Sequence, residues 1–125
     1  MLEYSNTKEI SIARSKIDLK IYELQAAISK TLAHPIRLAI LHTLKDGEKT
    51  VNELTQIIGA SQSNISQHLA LMRQREIVKT RKDRTNIFYS VADPKISIAC
   101  YTIREVLHEQ LKQKQEMANQ FKSHN

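Results

Sequence analysis

The run Ser61-Gln62-Ser63-Asn64-Ile65-Ser66-Gln67-His68-Leu69 sets seven hydrogen-bonding side chains around two aliphatic ones. Wound into a helix, Ile65 and Leu69 share one face and the polar groups point elsewhere. Gln62, Ser63, Asn64, Ser66 and Gln67 then offer amide and hydroxyl donors and acceptors of the kind that read base edges in a major groove. Ser61 has the residue type of a helix N-cap, and the free N–H groups behind it suit a phosphate. His68 has two readings, a phosphate contact or a cover for the helix flank. Arg73 and Arg75 follow at the helix end, and Lys79, Arg81, Lys82 and Arg84 decorate the next stretch. Lined up this way, the residues suit binding of a polyanion.

The charge distribution supports the same chemistry. The chain has 125 residues, with 19 Lys+Arg against 13 Asp+Glu and a formal net charge of +6. Residues 68–84 hold six basic and two acidic side chains, so +4 of the +6 lies in that segment. Such a concentration marks either a local anion-binding surface or a solvated basic stretch.

Composition narrows the alternatives. The length suits one domain. With 41% hydrophobic and 26% charged residues, the sequence is that of an ordinary globular protein. One cysteine allows neither an internal disulfide nor a Cys-rich zinc site. The longest apolar runs, such as Leu38–Leu41, are too short to span a membrane, and the first residues lack a signal-peptide apolar block. The cytoplasm is the expected compartment. No Ser/His/Asp or Cys/His constellation, phosphate loop or carboxylate pair suggests an enzyme.

The elements that must hold these residues are marked by breaks. Ile10, Ile17, Ile21, Leu24 and Ile28 form a heptad-like stripe, predicting a long helix over residues 1–32 capped by Ser5 or Thr7. Its narrow apolar face suits a partner helix or its own core. Pro35 opens a short buried helix through Ile36, Leu38, Ile40, Leu41 and Leu44, stopped at Gly47. Thr50 and Glu53 form a capping box for a second helix with Val51, Leu54, Ile57 and Ile58 inward, ended by Gly59. The Ser61-capped helix buries Ile65, Leu69 and Met72. From Ile77 the period shifts to that of strands: Ile77–Lys82 and Asn86–Val91, joined by a turn at Asp83-Arg84-Thr85. Asp93-Pro94 breaks the pattern, and a last helix from Lys95 to Phe121 carries Ile96, Cys100, Ile103, Leu107, Leu111 and Met117, before a polar, frayed tail. The expected fold is mostly α with a small β-hairpin wing. A single winged helix-turn-helix domain over 1–125 is expected: an N-terminal helix at 1–32, the helix-turn-helix and wing at 33–92, and a C-terminal helix at 93–121.

Three segments resemble one known family in order and spacing. Leu32-Ala33-His34-Pro35-Ile36-Arg37-Leu38-Ala39-Ile40-Leu41 is similar to the opening helix of ArsR/SmtB-type winged-helix repressors. The Ser61–Leu69 run resembles their recognition helix, and Arg81 through Val91 their wing. The resemblance covers about residues 15–112. It implies a homodimeric repressor of transcription that holds a double-stranded DNA operator and pairs through its terminal helices. The implied DNA-binding set is Ser61, Gln62, Ser63, Asn64, Ser66, Gln67, His68, Arg73, Arg81, Lys82 and Arg84. The alternative is a winged-helix scaffold that docks protein partners without specific DNA binding.

The sensing sites of that family are not matched. Thr50 and Asn52 occupy the positions of a soft-metal Cys-x-Cys pair. Asp93 and Glu109 match two zinc-site positions, but Lys95 and Val106 stand where histidines would be. No metal or cofactor is therefore expected. Cys100 is either a redox sensor, paired with its copy across a dimer, or a small buried hydrophobe. His42, near the other sensor-cysteine position, is read as a surface or core-edge residue, and His34 as a helix-start residue.

Overall fold

A computed structural model describes residues 17–124 of the chain. The chain divides at Ala33/His34 into two compact units. In the first, helix α1 (Leu19–Leu32) begins at Asp18, whose carboxylate accepts the Lys20 N–H at 3.1 Å. Ile17 and Asp18 are not helical, so the expected continuous helix over 1–32 is replaced by one starting at Leu19. Asp18 is the reason, because its capping bond competes with helix continuation. Ile10 and the caps at Ser5 and Thr7 lie outside the described residues. Ile21, Leu24 and Ile28 are exposed, as the partner-seeking stripe requires.

The second unit runs α2 (Pro35–Thr43), a 3-10 turn (Leu44–Asp46), α3 (Val51–Ile58), α4 (Gln62–Gln74), β1 (Val78–Asp83), β2 (Asn86–Val91) and α5 (Pro94–His124). Local chemistry sets most of these boundaries. His34 Nδ1 accepts the Ile36 N–H at 3.1 Å, and Pro35 occupies the first turn of α2. Thr50 and Glu53 complete both bonds of the capping box of α3. Gly59 ends α3 at φ +83, where a side chain would be strained. Asp93 Oδ1 accepts the Lys95 N–H at 2.9 Å, so α5 starts at Pro94.

Around these breaks one core forms. Ile40, Leu54, Ile65, Leu69 and Met72 are 0% exposed, joined by buried Leu41, Leu44, Ile77 and Val78. The expected inward set of α4 is therefore observed. Ile36, Val51 and Ile58 are half-buried, and two expected core residues are exposed: Leu38 at 44% and Ile57 at 58%. Periodicity places both on an apolar face, but neighbouring elements cover only part of each face.

The end of α4 carries a signal that the residue types hide. Glu76 sits at φ +61, with its N–H on the Arg73 carbonyl and the Ile77 N–H on the Met72 carbonyl. This is the double bond pattern of a Schellman stop, made here without glycine. The wing is an antiparallel pair in the register Val78↔Val91, Arg81↔Phe88 and Asp83↔Asn86. Asp83 thus joins β1, leaving Arg84-Thr85 as the turn. On the other edge of β2, Lys49 and Tyr89 exchange both backbone hydrogen bonds, at 3.0 and 2.8 Å. Helix α5 continues through the expected tail to His124. Ile103 is 71% exposed, and Leu107, Leu111 and Met117 are exposed with it.

Candidate nucleic-acid interface

Helix α4 presents the polar row. The Ser61 hydroxyl accepts the Asn64 N–H at 3.1 Å, so Ser61 acts as the N-cap. Gln62, Ser63, Asn64, Ser66 and Gln67 are all exposed, while Ile65, Leu69 and Met72 on the opposite face are fully buried. The buried face fixes the helix to α2 and α3, and the exposed amides and hydroxyls are left for a ligand. His68 departs from this row. Its ring is half-buried, 4.3 Å from the His34 ring at an interplanar angle of 46°. Burial, with His34 and Arg37 nearby, lowers its pKa. His68 therefore covers the helix flank, bridging α4 to the cap of α2.

The wing divides its cations into two kinds. Arg81 donates from Nε to Glu48 Oε1 at 3.1 Å and from Nη2 to Oε2 at 2.5 Å. Its guanidinium also lies 4.7 Å from the centre of the Phe88 ring, its cross-strand partner. Arg81 is held by the protein itself. Lys82 and Arg84 are exposed and make no ion pair among the described residues, and Arg84 sits at the tip with φ +61. Arg73 is exposed in the last turn of α4. Phe88 and Tyr89 are half-buried, packing the wing as their residue types suggest. Glu48 was not flagged by the sequence. It is 33 residues from Arg81 in the chain, and no spacing pattern connects them.

At the sensing positions, Asp93 and His42 are taken up by partners within the fold. Asp93 caps α5 and lies 3.6 Å from the Lys95 ammonium, a cation unsuited to a metal's neighbourhood. These residues do not fit a metal ion. Cys100 is a free thiol, half-buried, with its pKa raised by burial, which suppresses the reactive thiolate. His42 is exposed at the edge of α2, and its Nδ1 accepts from Arg104 Nη1 of α5 at 2.6 Å. Burial, then Arg104 and Lys45, lowers its pKa. Tyr101 is exposed, its ring 6.0 Å from the Arg104 guanidinium carbon.

Two helices joined by a Gly-ended turn, a polar outward helix and a basic hairpin define a winged helix-turn-helix DNA-binding protein. Sequence comparison places it further. The chain belongs to the arsR family of bacterial regulatory proteins, whose profile matches residues 34–80. It is 39% identical over 88 residues to the uncharacterized HTH-type transcriptional regulator Rv0081 of Mycobacterium tuberculosis, covering 70% of this chain and 77% of that protein. The crystal structure of Rv0081 superposes with a TM-score of 0.67, covering 75% of this chain and 95% of that one. The biofilm growth-associated repressor of Xylella fastidiosa is 43% identical over 81 residues, 62% of this chain and 71% of its own. A homodimeric winged helix-turn-helix DNA-binding domain from Mycobacterium bovis, 25% identical, superposes with a TM-score of 0.69 over 78% of this chain and 93% of that one. The protein is a DNA-binding transcriptional regulator and not an enzyme. Among the described residues, no helix is long and apolar enough to cross a membrane.

Proposed function

We propose that this regulator acts in the cytoplasm as a homodimeric repressor. Gln62, Ser63, Asn64, Ser66 and Gln67 of each α4 enter the major groove of an operator, and Arg73, Lys82 and Arg84 bind the flanking phosphates. The observation that carries the reading is the exposed polar row on a helix whose opposite face is fully buried. Such a helix reads bases without losing its own packing. Pairing of subunits through α1 and α5 would cover the stripes that each leaves exposed. The test is duplex binding across a salt series, with selection of preferred sites from random sequence. Tight, salt-sensitive, sequence-selective binding is expected, with Gln67→Ala altering the selected bases. Binding indifferent to duplex DNA would instead favour a protein-docking scaffold.

The surroundings of Cys100 support packing over redox sensing. Cys100→Ser is expected to leave DNA affinity, with and without peroxide, at the wild-type value.

A further inference from the structure

We infer that Glu48 is a positioning residue for DNA binding: it anchors the wing by holding Arg81, so the wing's phosphate contacts come from Lys82 and Arg84. The inference rests on the DNA-binding reading of the wing. Three contacts converge on the same place. The Lys49–Tyr89 backbone bridge holds the loop before α3 against β2. The carboxylate of Glu48, next in the chain, takes both Nε and Nη2 of Arg81 on β1. The Arg81 guanidinium then lies over Phe88 of β2. A paired guanidinium over an aromatic face is geometrically fixed in a way that a lone surface cation is not. The carboxyl of Glu48 is accordingly held below its ordinary pKa by that bond, and Arg81 is raised by it.

The loop that carries Glu48 is itself set by the backbone. Gly47, immediately before it, has φ +148 and ψ 172, a region that residues with a β-carbon avoid. Its N–H closes on the Leu44 carbonyl at 3.2 Å. The direction in which Glu48 leaves α2 is thereby fixed. The ion pair and the backbone bridge thus clamp the wing to the loop before α3, with the tip cations outside that clamp.

The consequence is a difference in charge accounting between neighbouring arginines. A cation that neutralises a phosphate releases counterions, and removing it flattens the dependence of affinity on salt. A cation already neutralised by Glu48 releases none. The experiment uses the full chain, a labelled mixed-sequence duplex of about 30 base pairs, and KCl from about 50 to about 300 mM. Arg84→Ala is expected to reduce the slope of log affinity against log salt by about 2 per dimer, one contact in each subunit. Arg81→Ala and Arg81→Gln are expected to leave that slope at the wild-type value while weakening binding about 3- to 10-fold at fixed salt, through a loosened wing. The charge swap Glu48→Arg with Arg81→Glu is expected to recover most of that loss.

A slope reduced by Arg81→Ala as much as by Arg84→Ala would overturn the inference, with DNA binding by the wing left standing. A charge swap that binds more weakly than Arg81→Ala, despite an unchanged thermal melt, would also overturn it, because an acid would then face the phosphates. Should the swap fail to fold, the Arg81→Gln slope decides alone. Binding by the wild-type chain that did not vary with salt would instead remove the DNA-binding reading itself.

Discussion

The imidazole of His68 on the recognition helix lies 4.3 Å from that of His34, and His34 in turn caps α2 through Nδ1. The capping bond requires an unprotonated Nδ1 on His34. A proton on His68 would bring a cation against His34 and Arg37, two of the groups that already depress its pKa after burial itself. The recognition helix is thus seated on a contact that favours a neutral His68.

Stability is expected to fall with acid. His68 and His42 both have folded pKa values below the ordinary one. Near and below pH ~6.5 the unfolded chain therefore takes up more protons than the folded one. Their contribution is fully present above that pH and declines as pH falls toward the depressed values. Urea midpoints measured from pH ~7.5 to ~5.5 should drop, and His68→Gln should flatten part of the slope, His42→Gln a further part. An undiminished slope in His68→Gln would refute the assignment.

Ser61 and Gln67 should separate cleanly, although they lie on one helix. The Ser61 hydroxyl satisfies the Asn64 N–H, so Ser61→Ala should cost about 1 kcal/mol of stability. It should weaken binding to all DNA sequences alike. Gln67 is exposed, and Gln67→Ala should change stability by less than about 0.5 kcal/mol while shifting base preference. Denaturation and site selection on the same two variants check both halves.

Arg84 combines a strained backbone with an open charge. At φ +61 a β-carbon is disfavoured by about 1 kcal/mol. Arg84→Gly should therefore melt at a higher temperature, gaining about 0.5–1 kcal/mol, and yet bind DNA with a shallower salt dependence. A lower melting temperature would mean that the Arg84 side chain contributes to stability in a way its exposure does not suggest.

The exposed stripe of α5 should decide the association state. Ile103→Glu and Leu107→Glu place charge on apolar positions that are solvent-exposed within one chain. In sedimentation, each should raise the dimer dissociation constant by at least about 30-fold, the scale of an interface hot spot. Helical content should be unchanged. A stable dimer in both variants would place the interface elsewhere.

Residue order was most informative where the chemistry is local. Thr50 with Glu53, Ser61 with Asn64 and His34-Pro35 mark helix starts because a cap and its target lie within three residues. Ile65, Leu69 and Met72 are legible as the inner face of α4 because helical spacing alone aligns them. Asp18 as the true start of α1 and Glu76 as the stop of α4 were equally local but easily missed. Their residue types do not demand those backbone states.

Contacts between distant segments left no such trace. Arg81 and Lys82 are adjacent basic residues on one strand, yet Glu48, 33 residues away, takes Arg81 out of the open charge. His68 lies in a row of exposed polar residues by type, and the packing of α2 against α4 turns it onto His34. Leu38 and Ile57 keep the right spacing for burial but lack neighbours to cover them. Periodicity assigns a side chain to a face. Which groups meet it there depends on how separate elements pack, and that packing divides the wing's arginines into an anchor and a free cation.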